Sequence, residues 1–272
     1  MARVFSFHSI VLFLTSSMGS GGSVGNEPLH EERCGDGEAL RAAGLLEGLI
    51  AGQLSPSQDE QLARLSALLR DEGWKSATPR KGVDVAFKLS EDTGLYYVCS
   101  FCEIEGDTLP SKMFSDFAKG GAQRRYNEIC KEEQQLEATP LAAVDEIMYG
   151  PQRLARGIYS MPAPFSERDF VWEEWSALLV ANEDHLYVSV AQSPENEEAL
   201  APAQEGFVRG KLHLGATLVR QPLAVDSPAK AASIILGDVR GRLPRSLQNL
   251  VAGNASTYLA NFRDAHAGKA LY

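Results

Sequence analysis

The chain has 272 residues, of which 44% are hydrophobic and 23% are charged, and its formal net charge at pH 7 is −10. These proportions are typical of a soluble globular protein with a sizeable core, and they exclude a wholly disordered chain. The negative charge and the dispersed lysines and arginines argue against nucleic-acid binding and against permanent adhesion to strongly anionic membranes, because both need a basic surface.

Residues 1–36 are predicted to be a flexible N-terminal segment, for which three interpretations stay open. Residues 5–14 have the outline of a weak secretory signal. Residues 18–23 match the Met-Gly-x-x-x-Ser form of an N-myristoylation site if translation begins at Met18. The abundance of Gly and Ser is typical of a linker, which is the interpretation we favour. We therefore expect a cytoplasmic protein, with secretory entry left open by the signal-like segment.

Residues 37–73 are predicted to form a helical hairpin. Two runs of apolar residues at helical spacing lie within residues 38–72. Either Ser55 or Ser57 can cap the second helix. The hairpin either packs on the main domain or offers residues 38–72 to a protein partner, and the sequence alone leaves both interpretations open.

From Trp74 onward the pattern changes to strands. Alternation predicts a hairpin of residues 83–88 and 95–104, followed by short helices within residues 110–136. Further strands are predicted at residues 144–149, 153–160, 168–180, 185–192, 206–220 and 232–239. A long helix is predicted from Pro244 to Ala265. Consecutive strands with short turns before a terminal helix predict an α+β domain with an antiparallel sheet.

Four cysteines occur, at positions 34, 99, 102 and 130, without the paired spacing of a zinc site. Cys99 and Cys102 lie three residues apart in a predicted strand, so their side chains should point to opposite faces. We predict buried free thiols in a reducing compartment, with no metal site, no cofactor and no disulfide framework.

Three segments carry a resemblance to a known family. Residues 161–172, Met-Pro-Ala-Pro-Phe-Ser-Glu-Arg-Asp-Phe-Val-Trp, resemble the P-x-P-x-S-x-R-D-[FY]-V segment of START domains, and the loop is most similar to the phosphatidylcholine transfer group. Residues 207–210 resemble the family's V-R strand, and residues 237–244 resemble its D-x-[RK]-G-x-[IL]-P segment before the last helix. The three segments occur in the expected order, and the resemblance covers residues 74–272.

This resemblance implies a helix-grip fold, in which a curved antiparallel sheet wraps the long C-terminal helix and leaves a lipid cavity. It also implies binding of a single lipid, such as the glycerophospholipid phosphatidylcholine, and its transfer between membranes by transient contact with their surfaces. Two alternatives stay open: a sterol ligand, because sterol-binding relatives share the second and third motifs, and a lipid-sensing regulatory module without transfer.

The strand at residues 168–180 carries the main candidates for ligand contact. Alternation places Trp172 and Glu174 on one face, and the resemblance implies that this face lines the cavity, where related domains usually have an arginine at the position of Glu174. A carboxylate in an apolar cavity needs a partner. Arg209, His213 or a cationic lipid group such as choline could serve, unless the register is off by one and Glu174 is solvated.

Aromatic and helical residues complete the predicted lipid-binding set. Trp172, Tyr187 and Tyr126 either form a cage for a quaternary ammonium or belong to the core. In the terminal helix, small and polar groups that include Asn254 interrupt the apolar stripe to which Tyr258 belongs, which suits a helix that lines a cavity and swings open. The lipid-binding residues are thus predicted to be Trp172, Glu174, Tyr187, Arg209, His213, Asn254 and Tyr258.

The loop formed by Met161, Pro162, Pro164 and Phe165 is predicted to be the gate and the membrane contact. The two prolines fix the backbone, which would hold Met161 and Phe165 outward. Burial of each apolar side chain yields roughly 1.5–3 kcal/mol, enough for reversible contact with a membrane. In the alternative, Phe165 tucks under the neighbouring helix.

No catalytic function is predicted. The sequence lacks HExxH, GxxxxGK[ST] and GxGxxG motifs. His213 with Glu174 is the one acid–base pair that the sequence leaves open.

Overall fold

A computed structural model of the chain describes residues 36–49, 53–105, 114–115, 119–140, 142–144, 147–150, 152–161, 163–182, 184–222, 227–241 and 255–267. The predictions for the segment before Asp36, and those for Pro162 and Asn254, lie outside these residues. No helix within the described ranges is long and apolar enough to cross a membrane.

Five helices lie within these ranges: α1 (Asp36–Gly44), α2 (Pro56–Arg70), α3 (Ala122–Tyr126), α4 (Glu197–Leu200) and α5 (Ala255–His266). The start of α2 is a capping box, in which the Ser55 hydroxyl accepts from the backbone N–H of Gln58 and the Gln58 side chain accepts from the backbone N–H of Ser55. Pro56 follows in the first turn, where its missing N–H costs nothing. Ser55 rather than Ser57 is therefore the cap.

One sheet contains twelve strands of the described chain. They are β1 (Lys75–Arg80), β2 (Val83–Leu89), β3 (Tyr96–Ile104), β4 (Cys130–Ala138), β5 (Ala142–Val144), β6 (Ile147–Tyr149), β7 (Arg153–Tyr159), β8 (Arg168–Ala181), β9 (Asp184–Gln192), β10 (Val208–Arg209), β11 (Lys211–Gln221) and β12 (Ala229–Asp238).

The strand order along the sheet is β1-β2-β3-β12-β11-β9-β8-β6-β5. The long strand β8 pairs with β7 along its first half and with β6 near its end, and β4 extends the sheet beyond β7. All of these pairs are antiparallel, whereas the short strand β10 runs parallel to the start of β8. Because β8 has neighbouring strands on both sides, the positions of its side chains are well fixed.

The two faces of the sheet have different partners. On the outer face, apolar residues of α1 and α2 pack against alternate residues of the sheet such as Cys99 and Trp175. On the inner face, Leu259 and Phe262 of α5 belong to a cluster with Cys102 and other strand residues. Cys99 and Cys102 thus point to opposite faces, as strand alternation predicts, and both are free and buried.

Hydrogen bonds tie α2 and the segment before it to the sheet. The side chain of Gln53 donates to the carbonyl of Val180 and accepts from its N–H. The indole N–H of Trp175 donates to the side chain of Gln61 on α2 at 2.5 Å. The apolar stripe of α2 is therefore covered by the sheet.

The predicted α+β architecture, with a curved antiparallel sheet and a C-terminal helix against its inner face, is confirmed. The predicted terminal helix begins at Pro244, whereas α5 begins at Ala255, and residues 242–254 lie outside the part of the chain that the structure describes.

The helical prediction for residues 110–136 is wrong at its C-terminal end. Residues from Cys130 onward form β4, an edge strand paired with β7. Lys, Glu and Gln dominate this segment and favour helix locally, but pairing with a neighbouring strand overrides so weak a preference. The charged residues also suit an exposed edge, because they discourage pairing with other chains.

Candidate functional site

An internal cavity lies on the inner face of the sheet, bordered by α3, α5 and the loop before β8. Its volume is about 150 Å³. Its apolar wall is formed by Ala122, Ile129, Met161, Phe170, Trp172, Ala191, Leu212, Gly215, Ala216, Ile234, Ile235, Gly237 and Val239. Its polar residues are Gln123, Asn127, Arg153, Tyr159, Arg168, Glu174, Ser189, Thr217, Ser233 and Tyr258.

Strand β8 supplies alternate residues to this wall. Phe170, Trp172 and Glu174 all line the cavity, as expected for side chains two residues apart on one face. The side chain of Glu174 is only 10% exposed. The alternative register, with a solvated Glu174, is therefore wrong.

Arg153 is the ion-pair partner of Glu174. The two residues lie directly opposite each other in the β7–β8 pair. The Nε and Nη2 atoms of Arg153 donate to Oε2 of Glu174 at 3.1 and 2.7 Å. Burial lowers the pKa of Arg153, but the neighbouring carboxylates, Glu174 above all, raise it by more, so its pKa lies above the ordinary value. The cavity wall therefore contains a buried ion pair.

Two further donors fix the carboxylate of Glu174. The hydroxyl of Ser189 on β9 donates to Oε1 at 2.7 Å, and the indole N–H of Trp172 donates to Oε2 at 3.3 Å. A buried charge needs such partners. Neither Arg209 nor His213 is among the partners of Glu174, so the pairing suggested by the sequence is corrected to Arg153.

A second carboxylate lies behind Arg153. Glu133 of β4 has its Oε1 3.7 Å from Nη1 of Arg153, and both side chains are 3% exposed. Its two oxygens accept from the backbone N–H groups of Gly121 and Arg124 at 2.9 and 3.1 Å. Glu133 is not itself part of the cavity wall. It was missed from the sequence because its segment has the composition of an exposed helix.

Hydroxyl groups surround this charged cluster. Thr217 and Tyr258 line the cavity and are hydrogen-bonded to each other. Burial, and next the charge of Glu174, raise the pKa of Tyr258 above its ordinary value, so the phenol stays protonated at neutral pH. This end of the cavity can therefore both donate and accept hydrogen bonds.

Three residues predicted to bind the ligand do not line the cavity. Arg209 is buried on the outer side of β8, where it donates to Asp169 at 2.9 Å and to the carbonyl of Ala201 at 2.7 Å. Tyr187 is fully buried in the inner core, with its ring against Phe114. His213 is absent from the cavity wall as well.

The position of His213 follows from an irregularity in β11. The pairing of β11 with β12 shifts register between Leu212 and Leu214. Simple alternation back from Thr217 would bring residue 213 to the inner face, but the bulge reverses the phase and Leu212 lines the cavity instead. Burial, and next the charge of Lys211, lower the pKa of His213. An acid–base pair of His213 with Glu174 is not formed.

The predicted aromatic cage is not assembled. Tyr126 packs against Tyr258 and Phe262, and Tyr187 packs against Phe114. Of the three proposed cage residues only Trp172 lines the cavity.

The predicted gate loop is partly buried rather than turned outward. Met161 and Phe165 pack with Phe170 around Val239, which directly follows β12. Pro164 is exposed. Arg168 connects the same segments, because its guanidinium donates to the carbonyls of Ser166, Val239 and Arg240. Opening this end of the cavity must separate these contacts.

No group of three or more His, Cys, Asp or Glu side chains in the described ranges is arranged to hold a metal ion.

Comparison with known proteins gave matches in structure only. No family model matches the sequence, and no curated protein matches it. The human StAR-related lipid transfer protein 5 superposes with a TM-score of 0.58 and 20% sequence identity, covering 78% of this chain and 96% of that structure. The lipid transfer and protein localization domain of human StarD13 (DLC2) gives a TM-score of 0.51 and 18% identity, covering 78% and 98% of the two chains.

A bacterial structure gives the same result. The STAR-related lipid transfer protein from Xanthomonas axonopodis (fragment 25–204) has a TM-score of 0.52 and 17% identity, covering 72% of this chain and 99% of that one. The sheet order, the helix on its inner face and these superpositions lead to one conclusion. The chain has the fold of the StAR-related lipid transfer (START) domains.

Proposed function

We propose that this protein binds one lipid in the internal cavity and transfers it between membranes. The observation that carries the proposal is the division of the cavity wall into a large apolar part and one buried charged cluster, Arg153 with Glu174. An apolar body with a single polar end fits such a wall, and few ligand classes other than lipids have that form. Lipid transfer is also the activity named for the three proteins of similar fold.

Transfer of this kind needs no covalent chemistry. A lipid that leaves a bilayer for the cavity exchanges one apolar environment for another, so the exchange itself costs little. The access step is separation of the cluster formed by Met161, Phe165, Phe170 and Val239. We propose that these side chains, once separated, contact the membrane surface transiently.

Two ligand classes are candidates. The loop at residues 161–166 resembles that of the phosphatidylcholine transfer group, which favours a glycerophospholipid. The charged cluster favours a lipid with a small uncharged polar group, such as the hydroxyl of a sterol. Arg153 already donates twice to Glu174, so a phosphate would have to compete with a carboxylate for the cation. A hydroxyl needs no such exchange.

A lipid sensor without transfer is the second candidate function. Adjacent residues of β8 face opposite sides of the sheet: Glu174 lines the cavity, and Trp175 donates a hydrogen bond to Gln61 of α2. A change at the ligand could therefore reach the surface of the helical pair. Slow lipid exchange, together with a protein partner whose binding depends on lipid, would favour sensing over transfer.

The test is native mass spectrometry of the full chain after incubation with vesicles that contain equal amounts of phosphatidylcholine and cholesterol, followed by a vesicle-to-vesicle transfer assay. One retained lipid per chain and accelerated transfer support the proposal, and the mass identifies the ligand class. Glu174→Gln should weaken retention, whereas Glu173→Gln, on the exposed side of the same strand, should not. A chain that retains neither lipid and accelerates no transfer would refute the proposal.

A further inference from the structure

We infer that Glu133 makes the cavity selective against anionic lipids. The cavity accepts a lipid that ends in a neutral hydroxyl and rejects a lipid with the same hydrocarbon chain that ends in a carboxylate. This inference rests on the proposed function, because it concerns the ligand of the same cavity. Glu133 would act on the ligand without touching it, because Arg153, which is part of the cavity wall, lies between Glu133 and the cavity.

The end of the cavity formed by Arg153 and Glu174, called the inner end below, holds more acids than bases once Glu133 is included. Arg153 lies between two carboxylates: Glu174 accepts from its Nε and Nη2, and Glu133 lies 3.7 Å from its Nη1. All three side chains are at least nine-tenths buried. One guanidinium and two carboxylates leave the cluster with one excess negative charge. A buried charge of this kind is poorly screened by salt.

The other cations near the cavity do not neutralise this excess negative charge. Arg168 also lines the cavity, but it lies six residues before Glu174 on β8, which corresponds to roughly 20 Å along a strand. Arg124 is exposed, and Arg125 is half-buried and stacks over the ring of Tyr126. Distance weakens the effect of Arg168, and solvent screens the charges of Arg124 and Arg125 more than it screens the buried cluster. The excess negative charge at the inner end is therefore not cancelled locally.

Hydroxyl groups of the cavity wall are available for hydrogen bonds with a ligand. The hydroxyls of Ser189, Thr217, Ser233 and Tyr258 line the same cavity. A ligand hydroxyl can donate to the oxygens of these groups without adding charge. A carboxylate has no proton to donate to them, and it would place a third anion beside one cation.

The experiment compares ligands that differ only in their polar end: oleyl alcohol, oleate and oleylamine, each measured at pH 7.4 by displacement of a nitrobenzoxadiazole-labelled fatty alcohol from the full chain. We expect oleyl alcohol to bind at least about tenfold more tightly than oleate, the effect of roughly 1.4 kcal/mol from one uncompensated charge. Oleylamine should not share the penalty of oleate beyond the cost of dehydrating its ammonium group.

Two variants identify the source of the selectivity. Glu133→Gln removes the excess charge and keeps an acceptor for one of the two backbone N–H groups, so oleate affinity should rise about tenfold while alcohol affinity stays within about threefold. Glu132→Gln is the matched control, because Glu132 is the exposed neighbour on the same strand, and it should change neither affinity.

The outcomes are distinct. If no ligand of the series binds to the wild-type chain, the proposed function fails. If oleate binds as tightly as oleyl alcohol, or if Glu133→Gln raises both affinities equally, lipid binding stands and the inference about Glu133 is overturned. Should Glu133→Gln fail to fold, the wild-type ratio of alcohol to acid can still overturn the inference, because equal affinities would contradict it.

Discussion

Arg153 and Glu174 face each other across β7 and β8, and two N–H groups of the arginine donate to a single oxygen of the carboxylate. The second oxygen of Glu174 is held by Ser189. Every acceptor atom of this carboxylate therefore has a partner before any ligand enters. The pair defines the polar end of the cavity, and its stability can be measured without knowledge of the ligand.

Arg153→Met is expected to destabilise the protein by about 3–5 kcal/mol, because it leaves two buried carboxylates without their shared cation. The midpoint of urea unfolding, followed by tryptophan fluorescence, measures the loss. Glu173→Gln on the exposed side of β8 should change the free energy of unfolding by less than about 0.5 kcal/mol. A loss below about 1 kcal/mol for Arg153→Met would contradict the burial of this cluster.

Asp169→Ala is expected to cost a similar amount, about 3–5 kcal/mol, for the opposite reason. The Asp169 carboxylate is fully buried and accepts from Arg156 at 2.7 Å and from Arg209 at 2.9 Å, so its removal leaves two buried cations. Glu198 approaches the same Arg209 at 3.6 Å with a side chain that is 60% exposed. Glu198→Ala should therefore be nearly neutral in the same unfolding assay.

Gly210→Ala is expected to displace Phe170 from the cavity wall. A Cβ at position 210 would lie 2.3 Å from the phenyl ring, and such overpacking typically costs about 1–3 kcal/mol. Since Phe170 also packs with Met161, Phe165 and Val239, lipid retention should change together with stability. Gly44→Ala is the control, because nothing lies within 4 Å of its added Cβ and Gly44 is not part of the cavity wall. Equal effects of the two variants would argue against a specific contact with Phe170.

The three buried thiols predict resistance to alkylation and sensitivity to alkali. Burial raises the pKa of Cys99, Cys102 and Cys130 to about 12, so little thiolate exists in the folded state at pH 8. Iodoacetamide should modify these residues in guanidinium but not in the native protein, as peptide mass spectrometry would show. Rapid native modification of any of them would contradict the assigned burial.

The sign of the alkaline effect follows from proton linkage. The unfolded chain loses thiol protons near pH 8.5, whereas the folded chain keeps them until about pH 12. Between these values the folded state binds more protons, so the free energy of unfolding decreases as pH rises. Urea titrations at intervals from pH 8 to pH 11 should show this decline.

Ser55→Ala should destabilise the protein by about 1 kcal/mol, because it removes the side-chain cap of α2. Ser57→Ala, one residue inside the helix, should have little effect. Thermal unfolding of the two variants compares them directly. The opposite ranking would place the cap at Ser57, the other candidate that the sequence offers.

Sequence patterns were sufficient where one local rule decided the structure. Alternation along β8 correctly predicted that Trp172 and Glu174 share one face of the sheet, and the spacing of Cys99 and Cys102 correctly predicted opposite faces. Both inferences need only the two-residue period of a strand.

The remaining site residues depend on pairing between strands, which a local pattern does not contain. Arg153 reaches Glu174 through the register of β7 against β8, and Arg209 reaches Asp169 because β10 pairs in parallel with the start of β8. His213 does not reach Glu174 because a bulge reverses the phase of β11. Glu133 was overlooked because a charged edge strand has the composition of a helix surface.

The position of Glu133 gives the buried ion pair a direction that constrains how this sequence can change. With Glu133 beside position 153, inversion of the pair through Arg153→Glu and Glu174→Arg would set two buried carboxylates side by side. Such an inversion is therefore expected to be tolerated only when position 133 no longer holds an acid.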